Sequence, residues 1–256
     1  MSDLALRPRS ATEIVDAAFQ LYRRDAALYV LLTGLAYAPW LVIRLVALGT
    51  GGAQEGATLA ALLPTGLELV ATVGEFVVFS LMTAVVVRLG ADAYHGRPLN
   101  PAAAVREVLP RVPAVIVASL STFLLMVVGF VFLVIPALYV VAAFFAATQV
   151  IVLEGRDPFG GLRRSAQLSR GRKLHILGTF ALVIIIYVVV GMGLILLVEM
   201  AGSRVLSTVF EALYTVVGFP LLGLCTMVLY YDARIRAEGY DVEVMAGTLG
   251  PAQATP

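Results

Sequence analysis

Disulfide chemistry is excluded at the outset, because Cys225 is the only cysteine in 256 residues and no bridge can close within the chain. Charge is scarce too. Charged residues make up 14% of the sequence and apolar ones 60%, where an ordinary soluble domain carries roughly 25% charge. A water-soluble globule of this length needs more polar surface than that, so a soluble enzyme domain is excluded. Net charge is nearly absent, with 18 Lys and Arg against 17 Asp and Glu, which leaves no whole-protein field for nucleic acid. The two histidines, His95 and His175, lie on separate segments without an acidic cluster around either. There is no H-E-x-x-H, no glycine loop ending in G-K-[ST] and no cysteine pair. The sequence therefore predicts no catalytic set, no metal and no cofactor.

Uncharged runs dominate what is present. A helix crosses ~30 Å of hydrocarbon in ~20 residues. Val112 to Leu153 is one run of 42 residues without charge. As a single helix it would measure about 63 Å, twice the hydrocarbon thickness, so it must cross twice. Pro136 marks the expected turn, since proline starts helices well and continues them badly. The chain is thus predicted to be an all-α, polytopic membrane protein. Its spans are expected at about 26–48, 67–89, 112–134, 136–153, 175–198 and 210–231, in one membrane domain over 1–245 with a disordered tail at 246–256. Pro39 and Pro220 should kink the first and last spans. Gly191, Gly193, Gly218 and Gly223 should let helices approach closely. Ala36-Tyr37-Ala38 superficially resembles a signal cleavage site, but Pro39 would follow the cut and the apolar run continues, so an uncleaved first span is expected.

Basic residues set the expected orientation. The N-terminal segment and the stretches after spans two, four and six hold 16 of the 18 Lys and Arg, leaving Arg44 and Arg204 for the other side. This predicts a multi-pass protein of the cytoplasmic (inner) membrane with both termini in the cytoplasm.

Short amphipathic helices are predicted on that face. Ser10-Ala11-Thr12-Glu13 fits a capping box. The helix after it puts Ile14, Val15, Ala18, Phe19 and Tyr22 on one face, suited either to lie along headgroups or simply to lead into the first span. Asn100-Pro101 and Asp157-Pro158 each read as an N-cap followed by a first helical residue. Each follows a Gly-Arg pair, Gly96-Arg97 and Gly155-Arg156.

Four segments carry a resemblance: LRPRSATEIVDAAFQLYRRD, YHGRPL, VIVLEGRDPFGGLRRSAQLSRGR and LYYDARIRAEGYDVE. Together they resemble the bacterial multi-pass family named after the glycerophosphoryl diester phosphodiesterase membrane domain, over roughly residues 6–243. The resemblance implies a six-helix membrane bundle. It does not imply catalysis, because the family name comes from a hydrolase domain fused to some members, and that domain is absent from this sequence.

Two candidate sites stand out. Glu75 lies inside span two, where a carboxylate is expensive and often marks a pathway. Glu68 is seven residues earlier on the same helix face. Glu75 would serve a proton- or substrate-coupled route, or it would be hydrogen-bonded to a neighbouring helix, or paired with Arg44 or Arg204. The second candidate is the basic stretch with Arg163, Arg164, Arg170, Arg172 and Lys173, which would contact anionic headgroups or merely obey the positive-inside bias. The expected role is a non-enzymatic accessory or scaffold protein with membrane lipids and a membrane or cytoplasmic protein as partners. A small transporter or lipid-handling protein using Glu75 is the alternative.

Overall fold

The computed structural model describes residues 7–49, 66–132, 134–200 and 202–240, without the side chains of 47–49, 66–72, 197 and 199. The Glu68 side chain and the 246–256 tail lie outside the described residues. Every regular element among the described residues is helical: α1 (Ala11–Arg24), α2 (Ala26–Gly49), α3 (Gly66–Tyr94), α4 (Pro101–Val108), α5 (Val112–Val131), α6 (Val134–Phe144), α7 (Ala147–Glu154), α8 (Pro158–Leu168), α9 (Lys173–Glu199) and α10 (Arg204–Glu238). Six stretches are long and apolar enough to cross a membrane: Ala26–Val46, Val73–Tyr94, Pro101–Val131, Val134–Glu154, Lys173–Leu196 and Arg204–Glu238.

The short helices begin where local chemistry dictates. Ser10 and Glu13 form the reciprocal capping box of α1. Asn100 caps α4 and Asp157 caps α8, each followed by a proline whose missing N–H costs nothing in a first turn. Both caps come a few residues after a left-handed glycine, Gly96 (φ 68°) and Gly155 (φ 69°). Helix α1 buries Ile14, Ala17, Ala18 and Leu21 against α9 and α10. Phe19, expected on that face, is exposed. The contact stripe runs at i, i+3, i+4, i+7, and Phe19 falls beside it.

The double crossing differs from expectation in two places. The hairpin turns three residues before the expected position: α5 ends at Val131, and Pro136 sits inside the first turn of α6. There proline replaces an N–H that has no helical partner anyway. The turn is also tight, since a Cβ on Gly129 would lie 2.8 Å from the Ala137 nitrogen. The fourth span is two helices, not one. Between α6 and α7 the Ala146 N–H donates to Ser165 Oγ (3.0 Å), and that hydroxyl donates to the Ala143 carbonyl (2.9 Å). A buried serine from α8 thus occupies the break and satisfies both freed backbone groups.

Pro220 lies within α10 and cannot donate to the Val216 carbonyl. Thr33 Oγ1 donates to that carbonyl instead (2.8 Å), and Tyr22 Oη donates to Val217 O (2.9 Å). A side chain from α2 therefore supplies the donor that proline removes, as spanning helices require, and Tyr22 from α1 adds a donor one residue further on. Helices α9 and α10 meet through paired sockets, Tyr214 against Gly191 and Tyr187 against Gly218, whereas Gly193 faces open space.

Packing is concentrated at one end. The main core joins α1, the C-terminal halves of α3 and α10, the start of α5, and α7 and α8. Toward the other end large apolar side chains such as Phe123, Phe130, Ile185 and Leu196 are exposed, as a lipid-facing surface requires.

Candidate functional site

The packed end of the bundle carries the polar chemistry, and its centre is Asp232. The sequence places this aspartate after Tyr230-Tyr231 in the last turns of α10, and it is 1% exposed. A buried carboxylate is tolerated only when paired and hydrogen-bonded. Asp232 accepts from the Arg9 backbone N–H (2.7 Å) and from Arg236 Nε (2.8 Å). Arg236 also donates to the Arg9 carbonyl (2.7 Å), and the Arg9 guanidinium donates to Tyr94 Oη (2.7 Å). His175 Nε2, from the start of α9, is 3.4 Å from Asp232 Oδ2 but makes no aligned hydrogen bond there. One carboxylate thereby joins the N-terminal segment, α3, α9 and α10.

Two further ion clusters flank it. Arg88 binds Asp92 (2.5 Å) and Glu107 (2.6 Å), and Asp92 also holds Arg97 (3.0 Å). Arg164 binds Glu154 (3.2 Å) and Glu238, Arg234 binds Glu238 (3.2 Å), and Tyr230 Oη donates to Glu154 (2.9 Å).

Between these clusters opens a cleft of about 520 Å³. Arg88, Arg97, Arg111 and Arg234 line it, with His95 and Tyr240 among the polar groups and Glu107 as its one lining carboxylate. His95 Nδ1 lies 2.7 Å from the Ala91 carbonyl, which can only accept, so Nδ1 carries the proton. Nε2 is then the acceptor for Tyr240 Oη (3.1 Å). Burial holds the His95 pKa below the ordinary histidine value of 6.5, with Arg97 and Arg234 acting the same way, so the ring is neutral at pH 7. The Tyr231 ring lines the cleft and is stacked on Tyr94 behind it, with the ring centres 4.8 Å apart.

The candidates read from the sequence fall into two places. Glu75 lies at the opposite end, 3.5 Å from Arg44, and Arg44 also meets Glu211 (3.2 Å). The carboxylate is engaged in an ion pair across α2 and α3. Of the basic stretch, Arg163 and Arg170 are exposed. Arg164 is held in the ion cluster, Arg172 donates to the Arg236 carbonyl, and Lys173 lies 4.8 Å above the Tyr139 ring. Sequence reasoning missed Asp232, Arg9, Glu154 and the cleft arginines as a group. The available signal was a set of carboxylates (Asp92, Glu154, Asp232) placed where apolar runs end, each beside a motif already singled out. Among the described residues no group of three or more His, Cys, Asp or Glu is arranged to hold a metal ion.

Comparison of the chain with protein-family models, with curated proteins and with solved structures gave no match.

Proposed function

We propose that this is a non-enzymatic multi-pass protein of the bacterial cytoplasmic membrane, with both termini inside, acting as an accessory or scaffold through its cytoplasmic face. We also propose membership of the glycerophosphoryl diester phosphodiesterase membrane domain family. One observation carries the reading. The four segments that bear the resemblance, far apart in sequence, interlock at one end of the bundle through Arg9, Tyr94, Arg164, Asp232 and Arg236. Surrounding the buried carboxylate with partners from separate segments fixes the shape of that face before any partner arrives, as a docking platform requires. Exposed Arg163 and Arg170 would meet anionic headgroups there. The pairing of Glu75 with Arg44 weighs against a transport route through it, because ionic release would have to precede each cycle.

Photo-crosslinking amino acids placed at Gln20 and Arg163, both exposed, test the role in intact cells. A scaffold should give one discrete protein adduct from both positions and none from Leu124 on the apolar belt. Adducts with lipid alone would overturn the scaffold reading and favour lipid handling.

A further inference from the structure

Four arginines and one carboxylate line the cleft at the packed end. Asp92 holds Arg88 and Arg97, Glu107 holds Arg88, and Glu238 holds Arg234. Among the described residues these carboxylates pair with three of the four arginines, and Arg111 is the one outside an ion pair. Its guanidinium donates to the Val152 carbonyl, and among the described residues no carboxylate lies within ion-pair distance of it.

We propose that this cleft is a binding site for a phosphate-bearing anion, held by the guanidinium groups of Arg111 and Arg97. Several features point to phosphate. Guanidinium forks match phosphate oxygens with paired, charge-assisted hydrogen bonds. Forks arriving from different elements suit a tetrahedral phosphate, whose oxygens point in different directions, better than a planar carboxylate. Arg111 precedes α5 while Arg97 follows α3, so the two approach from separate segments. The volume of about 520 Å³ far exceeds a bare phosphate and falls within the usual range for small-molecule sites. The ligand therefore carries an organic part, which Val152, Leu153 and the Tyr231 ring would contact. Neutral His95, locked by Ala91 and Tyr240, shapes one wall without adding charge. A lipid headgroup and a soluble phosphoester offer the same chemistry. The site is independent of the accessory role proposed above.

The test uses the full chain in mild detergent. Inorganic phosphate and phenyl phosphate are titrated calorimetrically, with citrate as a carboxylate control. Phosphatidylglycerol and phosphatidylcholine are added to the micelles, and retained lipid is counted by native mass spectrometry. The wild type should bind phenyl phosphate or retain phosphatidylglycerol, in preference to citrate and phosphatidylcholine respectively. Binding of phenyl phosphate alone identifies a soluble phosphoester, and retention of phosphatidylglycerol alone identifies a headgroup. Arg97→Gln with Arg111→Gln should weaken that binding about tenfold or more, since each removes a charge-assisted bond. Arg23→Gln with Arg106→Gln, both exposed and outside the cleft, should leave it within about twofold. No binding of either phosphate probe by the wild type, equal binding of citrate, or equal loss in the control pair would each overturn the proposal. The wild-type arms decide even if the cleft variant does not fold.

Discussion

Asp232 concentrates more structural consequence than any other described side chain. Its two oxygens hold Arg9 and Arg236, and Arg9 is itself buried. Removing one partner from a buried ion pair leaves uncompensated charge and typically costs about 3–5 kcal/mol. Asp232→Asn keeps the shape but turns an amide donor toward a donor, so thermal unfolding in detergent should show a loss of that order. The same change should free the N-terminal segment. Arg9 is 5% exposed, so trypsin should spare it in the wild type, and mass spectrometry of the digest should find cleavage after Arg9 in the variant. Continued protection of Arg9 would show that the α1 packing alone holds the segment. His95 supplies a pH dependence. Its folded pKa is depressed by burial, so the unfolded chain binds the proton more readily. Its stabilising contribution is complete above pH 6.5 and declines as pH falls through that value toward the lower folded pKa. Nuclear magnetic resonance titration of the His95 ring should place its midpoint below 6.5, and Tyr240→Phe should leave the Nδ1–H bond to Ala91 in place.

At the scale of elements, polar side chains repair interrupted helices. Lipid offers no partner for a freed carbonyl, so each break must be satisfied internally. Ser165 does this between α6 and α7, and Thr33 with Tyr22 does it at Pro220. Ser165→Ala should strand the Ala146 N–H and the Ala143 carbonyl. The expected loss is about 1–3 kcal/mol for each group that stays unpaired, and ~0.6 kcal/mol if the break relaxes, as in measured membrane helix pairs. Thermal unfolding separates the two, and hydrogen exchange at Ala146 should quicken in either case. Local signals such as the Ser10-Glu13 box and the Asn100 and Asp157 caps were legible in the sequence because their partners lie three residues apart. The α6–α7 break was not legible. Nothing in the apolar run announces it, and its cause is a serine 19 residues away on another helix.

At the scale of the molecule, six apolar stretches were legible because length and composition alone decide them, and the hairpin within the 42-residue run followed from bilayer thickness. The site was not, because its contacts join residues as distant as Arg9 and Asp232, 223 positions apart. Charge segregation, read from sequence as a topology signal, takes a second meaning in the fold. The arginines at the packed end that are expected to orient the chain also tie its segments together, and six crossings would put that end wholly on one side of the membrane. Cysteine labelling tests the arrangement as a unit. Cys225 is buried and should stay silent, which leaves introduced cysteines as the only reporters. Gln20→Cys on α1 and Arg163→Cys on α8 belong to the packed end, and Val205→Cys begins α10 at the opposite end. A membrane-impermeant maleimide applied to intact cells should label Val205→Cys alone, and the other two should react only after the membrane is opened. Labelling of Gln20→Cys and Arg163→Cys from outside would invert the orientation while keeping the fold. Labelling of just one of them would break the six-crossing bundle itself, because α1 and α8 would then face different compartments and the ion cluster that joins Arg164 to the end of α10 could not form.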